Sequence, residues 1–303
     1  MTMRRMPRHS AQRGVAVITA LLLTTLAITI VASLFWQQQV QVRSIENQRL
    51  QLQTRWILRG ALDWAMLILR EDKKFSTIDH LGEPWAVPLA ETRLDDYVQR
   101  SSGSEESGAA LSGRVVDAQS RFNLTNLATG GSVNAREVAA FEKLLTLLNQ
   151  NPGLARAAAE AVAAAQGSTV ASEAPDTSNS TVLKIMHPED LLSVNGFSPE
   201  IVAALDNFVV VLPRLTSVNV NTAPTEVLAA KIETLSISDA STMVANRASA
   251  HFRNLGDFEK RLPQGALPAE SRNGLDVSTS YVPLEFSVSL FWMSMKAWIF
   301  LSR

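Results

Sequence analysis

The chain has 303 residues, with 28 Lys and Arg against 29 Asp and Glu, four His and no Cys. This balance of charge excludes a chain-wide attraction to nucleic acid, and the lack of cysteine excludes disulfides, cysteine-ligated zinc and thiol nucleophiles. The four His lie far apart, without the spacing that places two imidazoles on one helical face, so we expect no histidine metal site.

The N-terminus pairs a basic segment with a long apolar one. Residues 1–14 contain four arginines and no acidic residue, and the next charged residue is Arg43. The apolar segment 15–36 is long enough, at about 1.5 Å per residue in a helix, to cross about 30 Å of hydrocarbon. It is also longer than the apolar region of an ordinary secretory signal. The four arginines are Arg4, Arg5, Arg8 and Arg13. They favour a cytoplasmic N-terminus, with the chain after the membrane helix on the outer side of the inner membrane.

The junction Gln12-Arg13-Gly14-Val15 places the basic leader directly before the apolar helix. This resembles the cleavage site of type IV prepilin-like proteins, which a prepilin peptidase cuts after the glycine. The resemblance implies a leader of residues 1–14, cleavage between Gly14 and Val15, methylation, and retention of the apolar helix for assembly. Most members have glutamate at the fifth mature position, which here is Thr19, whereas subunit K of the type II secretion system characteristically lacks it. The alternatives are a single-pass anchor with an incidental Arg-Gly boundary and an ordinary exported domain.

Beyond the membrane segment the helical pattern continues. No Pro occurs between Pro7 and Pro84, which predicts one helix from Val15 to Lys73. An apolar stripe follows its second half, and we expect this stripe to be core rather than a partner surface. Its members are Val42, Ile45, Leu52, Trp56, Ala61, Leu62, Ala65 and Leu69.

Strand-like segments follow at Leu94–Val98 and Leu111–Val116, separated by the polar turn 101–108. The stretch Asp117-Ala118-Gln119-Ser120-Arg121-Phe122-Asn123-Leu124, with Asn126-Leu127 after it and Glu83-Pro84-Trp85 before it, closely resembles the subunit K family.

The middle of the chain reads as helical. Asn134 offers an N-cap with Glu137 as its reciprocal partner, and Ala155–Ala165 is a second helix. Residues 167–181 predict an exposed loop. Two related units follow, one with Ser198 as cap before Pro199, the other with Thr222 or Ala223 before Pro224.

The segment Val218-Asn219-Val220-Asn221-Thr222-Ala223-Pro224 resembles both the subunit K insertion and helix-hairpin-helix DNA-binding modules. Such modules present backbone N–H groups of a glycine-rich loop to phosphate. Here the corresponding loop is Ser236-Ile237-Ser238, and only Lys231 and Arg247 supply nearby charge. A periplasmic DNA-binding protein of the competence type is therefore the less favoured alternative.

The C-terminal segment, rich in strand-forming residues, predicts strands that close the sheet. The expected fold is α+β: a long N-terminal spine helix that is transmembrane in its first half, a pilin-like antiparallel sheet, and an inserted all-helical domain. The predicted boundaries are a leader at 1–14, a membrane helix at 15–36, the first part of the head at 37–127, the insertion at 128–270 and closing strands at 271–303.

No motif for a catalytic nucleophile or a nucleotide occurs, so we expect no enzyme. The adjacent pairs Asp95-Asp96 and Glu105-Glu106 fit solvated loops. Several members of the family bind calcium, which needs about 6–8 oxygen ligands. The acidic segment typical of the family's insertion is replaced here by an Ala-rich stretch and a Ser/Thr linker, so we expect neither calcium nor another cofactor.

The resemblance to subunit K covers residues 13 to about 284. It implies a minor pseudopilin that caps or initiates the periplasmic pseudopilus and supports export of folded proteins across the outer membrane. The implied partners are minor pseudopilins I, J and H, the major pseudopilin, the prepilin peptidase and the inner membrane, with no nucleic acid.

Overall fold

A computed structural model describes residues 13–93, 110–170, 184–263, 265, 267, 272–290 and 293–302. The α-helices of this part are α1 (Arg13–Phe75), α2 (Ala135–Leu147), α3 (Leu154–Val170), α4 (Pro199–Leu205), α5 (Thr225–Lys231), α6 (Ile237–Ser249) and α7 (Leu255–Lys260). Short 3-10 helices span Pro84–Ala86, Ala118–Ser120, Leu124–Leu127 and Pro188–Ser193.

The strands are β1 (Leu89–Arg93), β2 (Ala110–Val115), β3 (Phe122–Asn123), β4 (Ala128–Thr129), β5 (Ser132–Val133), β6 (Val209–Val210), β7 (Val218–Asn219), β8 (Leu275–Asp276), β9 (Tyr281–Leu290) and β10 (Met293–Ser302). The predicted α+β class is confirmed.

The spine helix confirms its prediction almost to the residue, since α1 runs from Arg13 to Phe75. No proline interrupts it, and its apolar, Gln-rich and Arg-rich sequence contains strong helix formers. The chain divides into two compact units between Ile57 and Leu58, within this helix.

The second unit contains an antiparallel sheet in the order β1-β2-β9-β10. The register pairs Val115 of β2 with Leu284 of β9, and β9 with β10 along the full length of both strands. Strand β2 and the closing strands confirm their predictions. The predicted strand Leu94–Val98 and the turn at 101–108 lie outside the described residues.

The C-terminal part of α1 packs on this sheet. Ala61 and Ala65 bring the helix close to the sheet, where they cluster with Leu284 and Phe286. Gly113 lies against the Phe286 ring, where a Cβ would be only 2.2 Å from Cδ1 of Phe286. One turn further, Leu69 packs with Trp85 and Val282.

The insertion has its own apolar core, which includes the stacked rings of Phe122 and Phe141, 5.3 Å apart between centroids. The core extends from Phe122 to Leu275, a few residues beyond the predicted bounds at 128 and 270. The insertion is mainly helical, but it also contains three pairs of two-residue strands. Strands β4 and β5 pair antiparallel, whereas β3 pairs with β6, and β7 with β8, in parallel.

The predicted caps are confirmed at two helices, where Asn134 accepts a hydrogen bond from the Glu137 N–H of α2 and Ser198 caps α4. At α5 the prediction is off by one residue, since Pro224 is the N-cap rather than the first helical residue. Helix α3 continues to Val170, so the first residues of the predicted loop 167–181 are helical, and the rest lie outside the described residues.

Candidate functional site

The processing segment lies at the start of α1. The helix begins at Arg13 and continues through Gly14 and Val15, and the Val15 side chain is exposed. The remaining leader arginines, Arg4, Arg5 and Arg8, lie outside the described residues. Cleavage between Gly14 and Val15 therefore stays a prediction.

Thr19 uses its hydroxyl within its own helix. Its Oγ1 donates to the carbonyl oxygens of Val15 and Ala16, each at 3.0 Å. Thr24, Thr25 and Thr29 bond back in the same way. In hydrocarbon, polar groups need partners inside the protein, and this bonding supplies them. The Thr19 hydroxyl is thus satisfied within its own helix, and the side chain carries no charge.

The first part of α1 is covered with exposed apolar side chains. From Val15 to Phe35 the exposed fraction of each large apolar side chain lies between 49% and 68%. An 18-residue window has a mean hydropathy of 2.5, and within the described ranges this is the one helix long and apolar enough to span a membrane. Water-soluble proteins rarely expose so large an apolar surface, so this segment suits lipid or the helices of partner proteins.

The apolar stripe of α1 divides into two parts. Ala61, Leu62, Ala65 and Leu69 are buried, as predicted for core. The prediction was wrong for the preceding members, which are exposed: Val42 54%, Ile45 64%, Leu52 54% and Trp56 74%. We call these four residues the exposed stripe. Their helical spacing is that of a packing face, but burial also requires a neighbouring element.

A buried polar network surrounds Asp117, at the point where the chain leaves the sheet for the insertion. Its Oδ2 accepts hydrogen bonds from Thr222 Oγ1 at 2.5 Å and from Asn219 Nδ2 at 3.0 Å. Its Oδ1 accepts from the Gln119 N–H at 2.7 Å and from Thr279 Oγ1 at 2.6 Å. We call these five residues the junction network. It joins the segment before the insertion to residues inside it and after it.

Asp79 extends the junction network to the segment that follows the spine helix. Its Oδ2 accepts from the Thr279 N–H at 2.7 Å, and its carbonyl oxygen accepts from Asn219 Nδ2 at 3.0 Å. Gln119 adds a further link, because its Oε1 accepts from the Ser280 N–H at 2.6 Å. The orientation of the insertion relative to the sheet is therefore fixed by side chains, not only by backbone connections.

Burial raises the pKa of Asp117, and its four hydrogen-bond donors act in the opposite direction. All four of these donors bond to the carboxylate oxygens of Asp117. The carboxylate accordingly has a structural role, since it has no exposed face on which to bind a substrate.

Asparagine side chains of the sequence motifs hold backbone segments of the insertion in place through hydrogen bonds. Asn123 Nδ2 donates to the Arg214 carbonyl at 2.8 Å, and its Oδ1 accepts from the Leu212 N–H at 3.1 Å. Asn126 forms both bonds with the backbone of Thr216, at 2.7 and 3.1 Å. Amide side chains match an N–H and a carbonyl at once, which explains why asparagine occupies these positions.

Glu137 does not complete the predicted capping box. Its two carboxylate oxygens instead accept from Lys231 Nζ at 2.7 and 2.8 Å. The side chains of this ion pair are 8% and 2% exposed. Burial lowers the pKa of Lys231, and the Glu137 charge opposes that shift. The pair connects α2 to α5 across the core.

The basic residues considered for DNA binding are not available to phosphate. Lys231 is in this buried ion pair, and Arg247 is buried and donates to the Val220 carbonyl at 2.7 Å. Burial lowers the pKa of Arg247 to about 10. Ser236 is not part of an open loop, because it caps α6 by accepting from the Asp239 N–H at 3.1 Å. The helix-hairpin-helix resemblance here reflects packing.

Two imidazoles stack between the head and the insertion. The rings of His80 and His251 lie 3.9 Å apart between centroids, at an interplanar angle of 10°. The pKa of His251 is lowered, first by burial and then by the charges of His80, Arg253 and Arg261, against a raising effect of Asp257. Glu83 lies beside His80, with Oε1 4.0 Å from Nε2.

This stack predicts a loss of stability on acidification. Below the ordinary pKa of His251, about 6.5, the unfolded chain binds a proton that the folded chain resists, so the free energy of unfolding falls as the pH falls. We expect a lower thermal unfolding midpoint at pH 5.5 than at pH 7.5. The variant His251→Phe keeps a stacking ring and should reduce this dependence. The matched control His187→Gln, at an exposed histidine, should not change it. Equal pH dependence in all three proteins would contradict the assignment.

Three carboxylates approach one another beside the end of α1: Asp72, Asp79 and Glu83, within 4.8 Å. Asp79 already accepts from Thr279, and Glu83 Oε2 accepts from Trp85 Nε1 at 2.7 Å and from the His80 N–H at 3.0 Å. This cluster offers too few free oxygens for the 6–8 ligands of calcium. The expected lack of a cofactor stays a prediction, and the pairs Asp95-Asp96 and Glu105-Glu106 lie outside the described residues.

Sequence reasoning selected most of these residues as parts of motifs without assigning their contacts. Asp117, Asn123 and Asn219 belong to the segments that carried the resemblance. The ion pair was missed, because Glu137 was interpreted as the partner of the Asn134 cap and Lys231 was considered only as a charge near a DNA-binding loop. A charged residue among the apolar residues of a predicted helix was the available signal.

Comparison with known proteins agrees with this geometry. Two protein-family models, both described as type II secretion system protein K, match residues 120–214 and 218–278, together about half of the chain. The chain is 29% identical over 310 residues to type II secretion system protein K of Pseudomonas aeruginosa, covering 92% of this chain and 85% of that protein.

Among solved structures, the chain is similar to one from the GspK-GspI-GspJ complex of the type 2 secretion system of enterotoxigenic Escherichia coli. The TM-score is 0.66 at 19% identity, with 86% of this chain and 94% of that chain covered. This likeness concerns the fold. The residues matched by the two family models include Asn123, Asn126, Asn219 and Thr222, whose hydrogen bonds hold the insertion in place. The chain therefore belongs to the family of type II secretion system protein K.

Proposed function

We propose that this minor pseudopilin of the type II secretion system caps or initiates the periplasmic pseudopilus, in a complex with minor pseudopilins I and J and in contact with minor pseudopilin H and the major pseudopilin. The observation that carries the proposal is the division of α1. Its C-terminal part is buried against the sheet, whereas its apolar surface from Val15 to Trp56 is available for other helices. In this role the protein supports the export of folded proteins.

The choice of partners rests on the similar solved chain, which comes from a complex with GspI and GspJ. The exposed stripe supports the same choice, since helices associate through apolar residues at this spacing. Thr19 supports a terminal position, because a pseudopilin at the tip has no neighbour above it whose amine requires a carboxylate partner. The insertion adds bulk that would block addition of a further pseudopilin.

The proposed location is the inner membrane, with one membrane-spanning segment. The N-terminal arginines favour a cytoplasmic N-terminus and a periplasmic head. The prepilin peptidase would remove residues 1–14 on the cytoplasmic side. The family is a structural component of a secretion system, and we propose no catalytic activity, since the buried carboxylates described above serve the fold.

Co-purification with minor pseudopilins I and J tests the partner assignment. In detergent extracts from cells producing all three full-length proteins, we expect the wild-type chain to retain both partners. The double variant Ile45→Asp/Trp56→Asp should weaken this retention by roughly 30-fold, the effect of losing about 2 kcal/mol at a hot spot. Asn47→Asp, at an exposed position on the opposite face of the same helix, is the matched control. Retention unchanged in the double variant would contradict this surface.

A further inference from the structure

A small polar cavity opens beside the buried ion pair of the insertion. Its volume is about 260 Å³, and its lining includes Asn126, Arg136, Ser217, Asn273 and Gly274. It is smaller than the pockets that bind drug-sized ligands, which span about 300–1,000 Å³. The cavity suits one small polar group.

One nitrogen of the Arg136 guanidinium has no hydrogen-bond partner among the residues that the structure describes. This nitrogen, Nη2, is buried, and among the described residues it is the one buried side-chain nitrogen or oxygen without a hydrogen-bond partner. Leaving a charged donor buried and unsatisfied is costly, so such an atom indicates a missing acceptor. The neighbouring Glu137 does not accept from this nitrogen, and both of its carboxylate oxygens accept from Lys231 Nζ instead.

The local charge is therefore positive. Among the described residues at this site, Arg136 and Lys231 each carry one positive charge and Glu137 carries one negative charge, which leaves an excess of one positive charge. A monovalent anion would neutralise it, whereas a dianion would leave a net negative charge at the site.

Gly274 lines the cavity and lies close to both cations. A Cβ at Gly274 would lie 3.0 Å from Lys231 Nζ and 3.6 Å from Arg136 Nη2. The backbone of Gly274 does not have the positive φ that would by itself favour glycine. The missing side chain thus lets the backbone of Gly274 lie close to both positive groups.

From these observations we infer that the cavity binds a single carboxylate group, with the Arg136 guanidinium as its ion-pair partner. A carboxylate supplies the missing acceptor, has the required charge and matches the planar guanidinium. The group can come from a small free carboxylate or from the C-terminal carboxylate of a peptide.

Thermal unfolding of the full-length protein in neutral detergent tests this inference. Acetate replaces chloride at constant ionic strength, and the rise of the unfolding midpoint with acetate concentration gives a dissociation constant. We expect saturable stabilisation by acetate. Arg136→Gln should weaken acetate binding by about tenfold or more, since a charge-assisted hydrogen bond is lost. Arg156→Gln, at an exposed arginine of α3, should leave the constant unchanged.

Gly274→Ala provides a second variant that keeps the guanidinium but adds a methyl group to the cavity lining, and it should also weaken acetate binding. A short peptide with a free C-terminus, compared with the same peptide amidated, distinguishes the sources. If the peptide with a free C-terminus stabilises the protein and the amidated peptide does not, the bound carboxylate is the C-terminus of a peptide. If acetate stabilises the protein and neither peptide does, the bound group is a small free carboxylate. Equal acetate constants for wild type, Arg136→Gln and Gly274→Ala, or no saturation, would overturn the inference.

Discussion

Replacing Asp117 with alanine is expected to lower the free energy of unfolding by roughly 3–5 kcal/mol, because buried donors lose their acceptor. The hydroxyls of Thr222 and Thr279 have second acceptors nearby, the carbonyls of Asn219 and Tyr281 at 3.4 and 3.3 Å. The larger part of the cost therefore comes from the Gln119 N–H and the Asn219 amide. Urea unfolding of the full-length protein in detergent, followed by circular dichroism, measures it.

The control for this substitution is Asp206→Ala, at an exposed carboxylate just after α4, which should change the free energy of unfolding by less than about 0.5 kcal/mol. Asp117→Asn keeps the volume and one acceptor oxygen, so we expect an intermediate loss. A loss below about 1 kcal/mol for Asp117→Ala would show that the junction network does not hold the insertion in place.

Removing the lysine of the buried ion pair should have an effect of similar size. Lys231→Ala leaves the Glu137 carboxylate buried and unpaired, which typically costs about 3–5 kcal/mol. The double variant Glu137→Leu/Lys231→Met replaces the pair with apolar groups of similar length. We expect it to recover most of the loss, since both charges are removed together. Urea unfolding of the single and double variants forms a double-mutant cycle.

The stability of the double variant distinguishes the effect of the lost charge pair from the effect of lost packing. Lys231 also lies over Phe122, with Nζ 5.4 Å from the ring centroid, so its side chain contributes to the core. A double variant as unstable as Lys231→Ala would contradict the charge argument and assign the loss to packing against this ring.

Much of the fold could be predicted because its signals are local. The length of α1 followed from continuous helix-forming sequence without proline, and the caps at Asn134 and Ser198 followed from the residue types that accept hydrogen bonds from the first helical turn. The closing strands followed from their composition.

The parts that could not be predicted depend on contacts between distant residues. Asp117 meets Asn219 and Thr279 across 102 and 162 residues, and no local pattern specifies those pairs. The exposed stripe shows the same limit, because Trp56 and Leu69 share one periodic pattern but only Leu69 is buried. Periodicity identifies a packing face, and the tertiary fold decides whether that face is covered.

The N-terminal sequence of the mature protein, after co-expression with a prepilin peptidase, tests most directly whether the chain is processed and assembled as a pseudopilin. We predict a mature protein that begins at Val15, with processing abolished in Gly14→Ala. An intact N-terminus at Met1, or a cut beyond Phe35, would contradict this account and indicate an ordinary membrane anchor or an exported domain.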